Sequence, residues 1–140
     1  MKYYIATSLT NAKSHNIVRD ALCALGHEIT YDWTSHGSVQ QISVARLNEI
    51  AHLEVQGVLD ADFVLVLLPG GKGTHTELGL AVAAKKRILI YADSHVPFSV
   101  GPATCAFYHL HGVARFSGSL DGLASWVHAI LQRTAPALEC

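Results

Sequence analysis

The chain has 140 residues, half of them hydrophobic, with a formal net charge of -1 and three cysteines. That length suits one domain around one sizeable core, and the near-neutral charge without a long basic run argues against a protein that grips a nucleic-acid polymer or an anionic membrane. Cys23, Cys105 and Cys140 are few, odd in number and lack metal-type spacing, which speaks against a disulfide framework and for a reducing compartment, the cytoplasm.

The N-terminal MKYYIATSLTNAK holds too short an apolar stretch for a signal peptide, and DFVLVLLP is too short to span a bilayer. Tyr3 to Ser8 is apolar, rich in β-formers and predicts a strand. A helix follows, with Ile17, Val18, Ala21, Leu22 and Leu25 on one face and Gly26 closing it. HEITYDW reads as a second strand. From Val39 to about Leu59 apolar residues suit one long or broken helix, which Gly57 weakens near its end.

ADFVLVLLP and RILIY are continuous apolar runs, as strands buried on both faces of a parallel sheet require. Val113 to Ser117 predicts a fifth strand, and SLDGLASWVHAILQ a last amphipathic helix with Ser119 as its N-cap. The terminal TAPALEC is expected to fray. Helices alternating with buried strands give an α/β doubly wound, Rossmann-like or flavodoxin-like sheet of about five parallel strands in a single domain, residues 1–140. Ligands in such sheets bind beyond the carboxyl ends of the strands. The segments that converge there are ATSLTNAK, YDWTSHG, LPGGKGTHTE and ADSHVPF.

LLPGGKGTHTELGLA breaks a buried strand at a proline and glycines before a new helix. It is not a Walker A loop, because Gly73 rather than serine or threonine follows Lys72, and Thr76 stands where the dinucleotide fingerprint needs its third glycine. Backbone N–H groups at Gly70, Gly71 and Gly73 would suit an anion, phosphate being the commonest. Glu77 then has two readings. Thr74-x-x-Glu77 is a capping-box pattern, and a carboxylate at this edge could equally be functional.

PGGKGTHTELGLA, with ADFVLVLL before it, KKRILIY after it, YYIATS at the N-terminus and YDWTSHG after the second strand, resembles the nucleoside 2-deoxyribosyltransferase superfamily. That superfamily includes nucleoside 5'-monophosphate N-glycosidases. Pro69 to Glu77 also resembles the PGGxGTxxE pattern of cytokinin-activating phosphoribohydrolases, which break the same kind of bond. The resemblance implies that Glu77 attacks the anomeric carbon, that Tyr4 lies near sugar and nucleophile, and that Thr7 and Ser8 meet sugar or phosphate. Glu54 falls where the family has an aspartate that protonates or orients the base. Gly70-Gly71-Lys72 stands where the deoxyribosyltransferases proper carry a further aspartate, which favours hydrolysis or an altered substrate.

N-glycoside cleavage passes through an oxocarbenium-like state, so it needs one carboxylate beneath C1' and an acid near the departing base. Glu77 is the candidate for the first, and Glu54, Asp32 and His75, in that order, for the second. Trp33 is a candidate to stack on the base or to fill the core. Gly70, Gly71, Gly73, Thr74 and Tyr108 complete the expected binding set. His109-x-His111 has no third ligand in the pattern, so neither metal nor cofactor is expected. Cys105 lacks a catalytic signature, and Lys85, Lys86 and Arg87 suit the C-terminal dipole of the helix before them.

Two hypotheses follow: cleavage or exchange of the N-glycosidic bond of a nucleoside or nucleotide, or a non-catalytic nucleotide-binding module that uses Glu77 only as a cap. They part over whether Tyr4 and Glu54 lie near Glu77. The connection from Tyr91 to Val113 is long, apolar and aromatic, and with the resemblance it predicts a homodimer or larger assembly with Phe107 and Tyr108 at an interface or site.

Overall fold

The computed structural model describes residues 1–36 and 43–133. Five strands form one sheet: β1 (Lys2–Ala6), β2 (Glu28–Ile29), β3 (Phe63–Leu67), β4 (Arg87–Ala92) and β5 (Ala114–Ser117). Their order is β2-β1-β3-β4-β5, and every pair is parallel, with Ile5 opposite Leu65 and Leu65 opposite Leu89. The helices are α1 (Ala12–Ala24), α2 (Val44–Asp60), α3 (Lys72–Ala83) and α4 (Leu123–Leu131). No helix among the described residues is long and apolar enough to cross a membrane.

Alternation along each strand separates two cores. Tyr4, Ala6, Val64, Val66, Ile88 and Ile90 face one side and pack with Val58 of α2 and with Leu78 and Ala81 of α3. Tyr3, Ile5, Phe63, Leu65, Leu67 and Leu89 face the other, against Val18 and Leu22 of α1 and Leu123 and Val127 of α4. Every residue of β3 is buried, which explains its unbroken apolar run. Helices on both faces make the fold doubly wound, and the strand order is the flavodoxin-like one.

Some local expectations shift. The second strand stops at Ile29 because the Asp32 carboxylate accepts from Thr34 N–H at 3.0 Å and from its hydroxyl at 2.6 Å, and this side-chain turn draws the chain into a 3-10 turn over Trp33–His36. The buried stripe of α1 is His15, Val18 and Leu22, whereas Ile17 and Leu25 are exposed; Gly26, at φ +81°, ends the helix as expected. Residues 37–42, where the next helix was expected to begin, and TAPALEC lie outside the described residues. Ser119 caps a short 3-10 turn, Leu120–Gly122, and α4 starts after it.

Two members of the basic triplet, Lys86 and Arg87, serve other helices than the one before them. Lys86 Nζ donates to Leu59 O at 2.5 Å at the end of α2, and the Arg87 guanidinium donates to Ile130 O and Leu131 O at the end of α4.

Candidate active site

At the carboxyl ends of β1 and β3, three segments enclose a cavity of about 590 Å3. Thr7, Ser8, Leu9 and Thr10 come from the turn after β1, and Gly71, Lys72, Gly73 and Thr74 from the start of α3. Leu47, Ile50, Ala51 and Glu54 of α2 form the remaining wall, so one side is apolar and the opposite side polar.

The glycine loop reaches this wall because Gly71 is the N-cap of α3. Thr74, expected to cap the helix for Glu77, is instead its third residue, and its hydroxyl accepts from Gly71 N–H at 3.0 Å. Gly71 has no side chain to return the bond, so only half of a capping box forms. A Cβ on Gly70 would stand 2.6 Å from Thr74 Cγ2, which explains the glycine there by close approach. Gly71 and Gly73 have open space where a Cβ would go.

Released from capping, Glu77 takes a partner far away in sequence. Tyr4 Oη donates to Glu77 Oε1 at 2.5 Å. Burial pushes the Glu77 carboxyl up to about 8; the Glu54 charge adds to the rise and the Tyr4 hydrogen bond opposes it. Tyr4 is raised by burial and then by Glu77 and Glu54, so its hydroxyl stays a donor. Glu54 is raised by burial. Tyr4, Glu54 and Glu77 thus form one electrostatically coupled group, which Glu54 joins to the cavity wall. Tyr4 and Glu77 do not line the cavity themselves.

Gly57 permits this grouping. A Cβ there would lie 2.8 Å from Tyr31 Cβ and 3.0 Å from the Tyr4 ring, so α2 can approach β1 only with a glycine at that position.

The other candidates lie elsewhere or are committed to structure. Thr7 Oγ1 donates to Leu67 O at 2.8 Å and accepts from Asn11 Nδ2 at 3.0 Å, tying β1 to the end of β3. Asp32 is bound by Arg19 Nη1 at 2.6 Å and by Thr34; burial raises its carboxyl, but the Thr34 and Arg19 hydrogen bonds outweigh it and the net shift is downward. Trp33 is in the core, with Nε1 donating to Ile5 O at 3.3 Å and its ring against His15. Gly70, His75 and Tyr108 border a second cavity of about 300 Å3, together with Cys105. No group of three or more His, Cys, Asp or Glu side chains able to hold a metal occurs among the described residues.

Lys72, Thr10 and, apart from Glu54, the α2 wall were not singled out as site residues in the sequence. Lys72 was weighed only as a failed Walker lysine and as part of the segment that lacks the deoxyribosyltransferases' further aspartate. The α2 residues carry the same apolar signal as core residues, and only their excess over what a surface helix can bury distinguishes them.

No family model matches the chain, and no curated protein sequence matches it significantly. Among solved structures it is similar to the CMP N-glycosidase BcmB of Clostridium botulinum, with a TM-score of 0.65 over 93% of this chain and 99% of that one. The two share a fold. At 14% identity the likeness concerns the path of the backbone over nearly the whole of both chains.

Proposed function

We propose that the protein is an N-glycosidase that hydrolyses the bond between base and sugar in a nucleoside 5'-monophosphate. The observation that carries this reading is the Tyr4–Glu77 hydrogen bond coupled to Glu54 at the wall of the cavity. A binding module that used Glu77 as a cap would have no need of that arrangement. The shared fold with an enzyme named for CMP N-glycosidase activity adds support.

In this reading the phosphate lies against the N–H groups of Lys72 and Gly73 and the hydroxyl of Ser8, with the Lys72 ammonium beside it. The base lies along the apolar α2 wall. The sugar reaches past Glu54 to Glu77; with the single proton of the pair passed to Glu54, Tyr4 binds Oε1 of the Glu77 carboxylate and leaves Oε2 to attack C1'. The bonding electrons of the glycosidic bond leave with the base, and Glu54 supplies the proton it needs. Water, deprotonated by Glu54, then cleaves the glycosyl ester, giving sugar phosphate and restoring both carboxyls. A nucleobase acceptor in place of water would make the same steps a transfer. A homo-oligomer in the cytoplasm belongs to this reading.

The test is incubation with a panel of nucleosides and nucleoside 5'-monophosphates, with released base followed by chromatography. Base release from monophosphates, lost in Glu77→Gln, is the expected result. An unchanged panel would favour the nucleotide-binding module.

A further inference from the structure

The long connection between β4 and β5 sends one side chain back to the glycine loop. Tyr108, on a 3-10 turn (Ala106–His109), is 3% exposed, and its ring meets Phe98 edge-on. Arg115 Nη1 of β5 donates to Tyr108 O at 2.7 Å, which anchors the turn to the sheet. The Tyr108 hydroxyl meets His75 Nε2 at 2.7 Å, and His75 Nδ1 meets Gly71 O at 2.8 Å.

The direction of this chain follows from its ends. A carbonyl only accepts, so His75 Nδ1 carries the proton, and in a neutral imidazole Nε2 must then accept from Tyr108. The Gly71 carbonyl also accepts the His75 backbone N–H at 3.2 Å, and the Gly71 N–H is held by Thr74. Both polar groups of the residue that opens α3 are therefore fixed. The same stretch, Gly71 to Thr74, lines the larger cavity, whereas His75 and Tyr108 border the smaller one on its other side.

We infer that His75 and Tyr108 are positioning residues, a relay that sets the peptide between Gly71 and Lys72 so that the Lys72 and Gly73 N–H groups face a bound phosphate. The inference rests on the proposed nucleotide site. It also removes His75 from the candidate acids, because both of its ring nitrogens are engaged. The effect belongs to the phosphate end of the site, and neither His75 nor Tyr108 bonds the Tyr4–Glu77 pair. Losing the Tyr108 hydroxyl frees the imidazole to turn and leaves the Gly71 carbonyl with only the His75 backbone N–H.

Tyr108→Phe keeps the ring in the core and removes only the donor. In protein 15N-labelled at glycine and lysine and titrated with inorganic phosphate, the Lys72 and Gly73 amide resonances should shift, and Tyr108→Phe should weaken phosphate about fivefold, as befits one neutral hydrogen bond. Tyr108→Phe combined with His75→Ala should be no weaker than the worse single variant, since the two act in series. With a nucleoside monophosphate that the wild type cleaves, KM should rise by a similar factor at nearly constant kcat. The corresponding nucleoside should be handled alike by wild type and variant.

Wild-type amides indifferent to phosphate, or unchanged phosphate affinity in Tyr108→Phe, would overturn the relay. An equal loss with phosphate-free nucleoside would do the same, because it would mean a packing role. Absence of base release from every monophosphate would defeat the proposed reaction instead, and the phosphate titration would still decide the relay.

Discussion

Glu77 holds a proton near neutral pH, and this has a measurable cost. Its carboxyl titrates at about 8 in the folded protein against 4.5 for an ordinary glutamate. Between those values the native state keeps a proton that the unfolded chain has released, so stability from this group is full below the unfolded value and is lost as pH rises through 8. Melting temperature is expected to fall more between about pH 5 and pH 9 in the wild type than in Glu77→Gln, whose amide carries no charge at either end. Parallel melting curves for the two proteins would show that the carboxyl is not titrating this way. Activity has its own signature. If Glu54 supplies the proton while Glu77 attacks, turnover needs one proton on the pair, and kcat/KM should be bell-shaped with its alkaline limb near pH 8. Glu54→Gln cannot donate, so its residual rate should rise with pH to a plateau without the alkaline fall. A bell that persists in Glu54→Gln would assign the acid elsewhere.

Elements place these residues through close contacts that single positions decide. Gly57→Ala should raise the intrinsic helix propensity of α2 by about 1 kcal/mol yet destabilise the protein by roughly 1–3 kcal/mol through overpacking against Tyr31 and the Tyr4 ring. Thermal melting and base release are both expected to fall; a stabilised, fully active variant would mean that α2 shifts at no cost. In sequence, Gly57 was only a blemish in a helical pattern, because a contact 53 residues away leaves no local mark. Strands β3 and β4 were legible for the opposite reason: burial on both faces writes itself as a continuous apolar run. The start of α3 was misread by three residues, since Thr74-x-x-Glu77 fits a capping box locally while Gly71 takes the cap and Tyr4 takes the glutamate. Asp32 was weighed as an acid and Trp33 as either a base-stacking or a core residue; the structure binds the first to Arg19 and Thr34 and packs the second in the core. The proximity of Tyr4, Glu54 and Glu77 was expected from resemblance alone; spacing could not supply it.

The whole molecule leaves more apolar surface uncovered than one chain needs. Val44, Leu47, Val55 and Leu59 of α2 stand exposed along one side of that helix, and Val100 and Phe107 protrude from the long connection, while Tyr108 is buried in its own chain. An assembly of two or more chains is expected, and light scattering at working concentration checks it; a mass equal to one chain would remove the claim. The sheet itself constrains how chains can meet. One of its outer strands, β2, runs for only two residues, and the other, β5, for four with Arg115 among them. Short and charged margins are poor templates for a further strand. Edge-to-edge growth, the path from a folded sheet to a fibril, is thereby discouraged, and association falls to helix and loop surfaces.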